Sequence, residues 1–154
     1  MAALLTVNLT VESKPVEQKS IVDLKSFLAT KSRVAIVTHW SPDGDAMGSS
    51  LGLHNFLLKS GHMSTVVVPN DYPQFLWWMK GHDDVINAEK FAKFAHEKLK
   101  EAELIFCLDF NDLSRINSLG EFVAKAGVPM VMIDHHPEPS AFATYSLHKV
   151  TASS

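Results

Sequence analysis

A single cysteine, Cys107 in the apolar run "LIFCLDF", rules out an internal disulfide and fits a reducing cytoplasm. Its apolar neighbours make it a core residue rather than a nucleophile. No apolar run approaches the roughly 18–20 residues that a membrane span needs. The opening "MAALLTVNLTVESKP" lacks the basic start and long apolar stretch of a secretory signal. Basic residues are not in excess either: 14 Lys and Arg stand against 17 Asp and Glu, a formal charge of −3. That is a poor electrostatic footprint for tracking a long nucleic acid, but bound cations can reverse the local sign around a small phosphorylated ligand. No G-x-x-x-x-G-K-[ST] loop occurs, so P-loop ATP hydrolysis is unsupported. What remains is a cytoplasmic protein away from membranes. Its 154 residues, 46% hydrophobic and 20% charged, suit one ordinary globular core.

What is present is an alternation of two periodicities. Residues 15–31 carry Ile21, Val22, Leu24, Phe27 and Leu28 at amphipathic-helix spacing. The β-branched run 33–39 reads as a buried strand, and 45–61 as a helix with Asp45 as cap and Gly61 as stop. Further strands are expected at 63–69, 103–110 and 128–136, with a fifth at 143–150. Helices are expected at 88–102 and at 113–127, the latter interrupted by Gly120, and "QFLWWMKG" (74–81) reads as a short helix. Apolar strands joined by helices predict an α/β fold: an open, mainly parallel sheet with helices on both faces, of Rossmann-like type.

Open sheets of this kind bind ligands beyond the carboxyl ends of their strands. The polar residues just past each expected strand therefore decide the chemistry. After the first strand come His39, Asp43 and Asp45; at the end of the third is Asp109; at the end of the fourth are Asp134, His135 and His136. The second strand ends in "PNDYP", which offers only Asp71. Carboxylates gathered in a crevice repel one another and resist desolvation, so they take up protons or hold cations. Interleaved imidazoles favour the second outcome, with manganese, iron or zinc preferred over magnesium or calcium. Two such ions sharing a carboxylate are the usual arrangement for hydrolysing phosphate esters.

The ordered set "HWSPDGD" (39–45), "DFNDLSR" (109–115) and "DHHP" (134–137) resembles the DHH family of phosphoesterases. Within that RecJ-like family the likeness is nearest to the nanoRNase and pAp-phosphatase branch. It runs from about Arg33 to the end of the chain, leaving 1–32 as an N-terminal segment and helix, and 33–154 as the catalytic domain. The resemblance implies two manganese ions and hydrolysis of short oligoribonucleotides or 3′-phosphoadenosine 5′-phosphate. Exopolyphosphatase, pyrophosphatase and cyclic-dinucleotide phosphodiesterase activities also occur in the family. It further implies that His39, Asp43 and Asp109 hold one ion, and that Asp45, Asp109 and His135 hold the other, with Asp109 bridging. His136 would touch the substrate phosphate or protonate the leaving oxygen, while Asp134 and Arg115 would stand behind the ligands or face the phosphate. Two departures are visible: the family's fourth motif, a further aspartate, has no match after His136, and its smaller glycine-rich C-terminal domain is missing. The expectation is a truncated chain that turns over poorly alone. The alternative from a different class is a non-catalytic module that recognises nucleotides or metal.

Other features have plainer readings. Pro42, Asp43 and Gly44 make turn chemistry by themselves. His54 lies within an apolar helix, and His62, His82, His96 and His148 lack acidic company in a convincing frame, so all five read as structural. Tyr72, Phe75, Trp77 and Trp78 read as core or as cover for an interface, including one between two copies of the chain; stacking on a nucleobase is the sharper alternative. "GSSLG" (48–52) fits the serine-hydrolase pattern, but Ser50 falls inside a helix rather than on the turn after a strand. "DGDAMGSSLGLH" (43–54) is close to a calcium loop, but Met47 replaces an oxygen ligand and His54 the bidentate glutamate.

Overall fold

The computed structural model describes residues 18–152, and within them strand and helix alternate as the periodicity requires. Helix α1 spans Gln18–Phe27, so residues 15–17 of the expected helix lie outside the described part. Then follow β1 (Arg33–Thr38), α2 (Gly44–Lys59), β2 (Met63–Val68), β3 (Ile86–Asn87), α3 (Ala92–Glu101), β4 (Leu104–Leu108), α4 (Leu119–Lys125), β5 (Met130–Asp134) and β6 (Tyr145–His148). The sheet order is β3-β2-β1-β4-β5-β6, and every pairing is parallel.

Parallel strands buried on both faces need continuous apolar runs, and residues 34–37 of β1 and the whole of β4 supply them. Alternate side chains feed different cores. Ala35, Val37, Val67, Ile105 and Cys107 pack against Ala95 and Leu99 of α3 and Val123 of α4. Val34, Ile36, Val66, Leu104 and Phe106 pack against Leu24 of α1 and Met47, Leu51 and Leu57 of α2. Truncating a fully buried member such as Phe106 or Leu57 to alanine costs about 2–5 kcal/mol.

Several boundaries differ from expectation, each for a local reason. The 88–102 helix starts only at Ala92, because Ala88 and Glu89 still hydrogen-bond to the carbonyls of Val68 and Pro69. The residues before it form β3, a two-residue edge strand too short to show periodicity. The 113–127 helix divides into a 3₁₀ turn at Leu113–Ile116 and α4. The break falls at Asn117, whose φ is +50°, and Gly120 serves a different need: a Cβ there would meet the Leu113 carbonyl oxygen at 2.5 Å. Only Gln74–Leu76 of "QFLWWMKG" is helical, as one 3₁₀ turn.

The strand ends matter most. β4 stops at Leu108, and Asp109 takes φ +64°, turning its chain off the sheet while its amide donates to the Ile133 carbonyl at 3.0 Å. Positive φ is uncommon outside glycine but tolerated by aspartate, and such strain gathers at functional sites. β5 stops at Asp134, which leaves His135 and His136 beyond the sheet.

Candidate metal centre

Four strand ends assemble the site. β1 delivers His39, buried at the sheet rim, and the following turn delivers Asp43 as the cap of α2. The Asp43 Oδ1 accepts from the amides of Asp45 and Ala46 at 3.0 and 3.1 Å. This fixes the carboxylate at the helix start, where the backbone dipole favours negative charge. β4 delivers Asp109, β5 delivers Asp134, His135 and His136, and β6 delivers the groups that support them.

Asp109 is the centre. Its Oδ2 lies 3.7 Å from His39 Nε2, and its Oδ1 lies 3.3 Å from His135 Nε2 and 3.9 Å from His136 Nδ1. His39 Nε2 is also 3.8 Å from Asp43 Oδ1. Two sets result, His39–Asp43–Asp109 and Asp109–His135–His136, each with ligand atoms within 4.8 Å of one another. Separations of 3.7–3.9 Å are too long for hydrogen bonds. They are near the spacing of donors that share one cation, since metal–nitrogen and metal–oxygen bonds are about 2.0–2.2 Å. The donor chemistry, imidazole with carboxylate, suits first-row divalent ions.

The remaining ring nitrogens are already engaged. His39 Nδ1 donates to the Trp40 carbonyl at 2.8 Å, and His135 Nδ1 donates to the Ala152 carbonyl at 3.3 Å. Each bond places the lone pair on Nε2, the atom that faces Asp109, as a metal-binding imidazole requires. His136 is held differently. Its Nδ1 donates to Asp134 Oδ1 at 2.7 Å, and its amide donates to Asp134 Oδ2 at 2.9 Å. Both oxygens of the buried Asp134 are thereby used, so this carboxylate orients His136.

Electrostatics agree with the geometry. The Asp109 carboxylate raises the pKa of His39 above the ordinary value, against the opposing effect of burial. Asp109 is lowered in turn, chiefly by His39 and further by His136 and His135. A negative charge among three imidazoles is a site where a proton and a cation compete. Cys107, by contrast, is pushed up to about 12 by burial and is inert.

Not every residue singled out in the sequence joins the cluster. Asp45 is exposed in the first turn of α2 and belongs to neither set, while its carbonyl accepts from Ser49 Oγ. Arg115 contributes its carbonyl, which accepts from the Trp40 amide at 2.7 Å and ties the β1 loop to the 3₁₀ turn after β4. Asp71 accepts from Lys90 Nζ at 2.6 Å and from Asn87 Nδ2 at 2.7 Å, a closed pairing. Ser50 is fully buried and without a hydrogen-bond partner, which disposes of a serine nucleophile.

His148 is the residue the sequence reading missed. β6 places it in register with Asp134, and its Nε2 donates to the His136 carbonyl at 2.6 Å. The signal was available: the strand-end rule applied to the fifth expected strand, 143–150, lands on "HKV".

A family model described as "DHH family, N-terminal domain" matches residues 33–154. The bifunctional oligoribonuclease and PAP phosphatase NrnA of Thermus thermophilus is 32% identical over 112 residues, covering 70% of this chain and 29% of that protein. A probable enzyme of the same name from Streptococcus mutans is 29% identical over 125 residues, covering 79% of this chain and 35% of the other. The crystal structure of an exopolyphosphatase-related protein from Bacteroides fragilis superposes with a TM-score of 0.88 at 39% identity. That match covers 92% of this chain and 42% of the other. The chain thus spans about a third of the length of the two curated relatives. With its family model, its all-parallel sheet and its ordered strand-end motifs in agreement, the chain belongs to the DHH family.

Proposed function

We propose that the protein is a manganese-dependent phosphoesterase acting on short oligoribonucleotides, on 3′-phosphoadenosine 5′-phosphate, or on both. One observation carries this reading: Asp109 turns one carboxylate oxygen toward each of two histidine-containing ligand sets. His39, Asp43 and Asp109 would hold one ion, and Asp109 with His135 the other. Asp45, the further carboxylate that would join the second ion, stands in the first turn of α2 beside the capping Asp43. When bound, such ions activate water and neutralise charge developing on phosphorus.

The protein's own part is positioning. Asp43 and His39 are fixed by the helix cap and the Trp40 carbonyl. His136, locked through Nδ1 onto buried Asp134, presents its other nitrogen for a phosphate oxygen or the leaving group. The Asp134 carboxylate fixes the orientation of the ring, as a group that must meet a phosphate or leaving oxygen requires. The names of the Thermus and Streptococcus relatives support the ribonucleotide substrates, and the name of the Bacteroides protein supports polyphosphate as the second reading.

The test is manganese-dependent hydrolysis of diribonucleotides, 3′-phosphoadenosine 5′-phosphate and polyphosphate, with calorimetric titration of manganese alongside. Two bound ions and cleavage of the nucleotide substrates are expected. Cleavage of polyphosphate alone would replace the first reading with the second, and no manganese binding would remove both.

A further inference from the structure

The rim of the sheet carries a second concavity beside the metal centre. A cleft of about 190 Å³ opens next to Trp40, between the first turns of α3 and α4. Its walls are aromatic: Trp40, and the stacked rings of His96 and Phe122, whose planes lie 16° apart. Buried Ile116 helps to line it, and the small side chain of Ala92 keeps it open. Its polar residues are Glu89, Ser118 and His96, and among the described residues no lysine or arginine lines it.

Trp40 joins this cleft to the metal centre. Its backbone is fully committed, with the carbonyl holding His39 Nδ1 at 2.8 Å and the amide donating to the Arg115 carbonyl at 2.7 Å. Its indole, 39% exposed, has no part in ligation. One peptide unit, about 3.8 Å between Cα atoms, separates it from a candidate ligand.

Charge decides what the cleft can take. A carboxylate without a compensating cation repels phosphate, whereas flat aromatic walls attract a planar ring and hydrogen-bond acceptors favour one bearing N–H donors. The larger cleft, about 590 Å³ along the outer edge of β2, does not include Trp40 or any other residue bonded to a candidate ligand.

The geometry points to the Trp40 cleft as a subsite for the base of a nucleotide, preferably one with an exocyclic amino group, whose phosphate occupies the metal centre. This rests on the phosphoesterase reading and adds to it a source of selectivity for nucleotides over base-free phosphates. Stacking carries the affinity, and Glu89 with Ser118 reads the amino edge.

The experiment is a binding titration followed by NMR on the protein loaded with diamagnetic magnesium, with adenosine 5′-monophosphate, ribose 5-phosphate and inorganic phosphate as probes. The adenine nucleotide is expected to shift the Trp40 indole N–H and the Ile116 methyl signals and to bind at least tenfold tighter than ribose 5-phosphate. Ala92→Leu fills the cleft and should bring that ratio to about one. Phe122→Ala, which removes one wall, should do the same and serves if the first variant does not fold. Equal binding of the two sugar phosphates to the wild type, or an unchanged ratio in either folded variant, overturns the subsite. Because this readout needs no turnover, the two ideas fail separately. A protein that selects adenine nucleotide but hydrolyses nothing keeps the cleft and loses the enzyme reading. One that hydrolyses nucleotides without selecting them loses only the cleft.

Discussion

Two carboxylates at the same rim of the sheet have opposite surroundings. Asp71, beyond β2, is exposed and neutralised by Lys90 Nζ at 2.6 Å, with Asn87 completing the contact. Asp109, beyond β4, has only a tenth of its side chain exposed and faces three imidazoles but, among the described residues, no lysine or arginine. Lys90 lowers the pKa of Asp71, and His39 that of Asp109, so both prefer to be charged. The difference lies in who supplies the positive partner. One site brings its own cation on a flexible side chain; the other leaves the position to a proton or to a metal. A carboxylate at a strand end is therefore uninformative until its partner is known.

The sharpest way to break this contrast is to remove the central carboxylate. Asp109→Asn should lower manganese affinity by at least 100-fold, because one residue serves both ligand sets; titration calorimetry reads this directly. If affinity is retained, Asp109 is no more special than Asp71.

His148→Leu comes next, with an expected loss of roughly tenfold in manganese affinity, because its bond to the His136 carbonyl anchors the peptide that follows the candidate ligand His135. His148→Gln keeps a donor for the His136 carbonyl and should recover most of it. Loss of melting temperature with unchanged metal affinity would assign His148 to stability alone.

Acidity offers a third probe. In the metal-free protein His39 is raised by Asp109, so its contribution to stability is fully present below the ordinary 6.5 and is lost as pH rises through its folded value. Asp109, lowered from 3.8, contributes above that value and loses its contribution as pH falls through the folded one. Thermal melting in chelator should therefore be highest between the two, near pH 5, and lower at pH 8. Manganese should reverse the order by displacing the proton, giving greater stabilisation at pH 8 than at pH 5. An identical melting temperature at both pH values, with and without metal, would contradict proton–cation competition.

The smallest effect is expected at the comparison residue. Asp71→Asn should leave manganese affinity unchanged and move the melting temperature by under about 2 °C, as befits an exposed pair.

Sequence alone made the sheet and most of the cluster readable, because β1, β4 and β5 are apolar runs whose ends carry the candidate ligands. His39, Asp43, Asp109, His135 and His136 do meet, since a parallel sheet aligns all its carboxyl ends on one rim. The role of Asp134 became specific only when both its oxygens were found on His136. β3 was not readable: two residues carry no period, and its pairing with β2 is purely tertiary. His148 was readable in place, since the strand-end rule puts it on the rim, but not in role, because its partner is a backbone carbonyl. The positive φ of Asp109 has no signature in composition either, since aspartate is ordinary in many conformations.

The carbonyl of Ala152 holds His135 from seventeen positions downstream. A protease nick or an expression boundary placed just past β6 would thus spare both apolar cores and the sheet while freeing one imidazole to swing. Such a trimmed polypeptide would pass every ordinary check of foldedness and still leave the Asp109–His135 side of the rim without its fixed geometry.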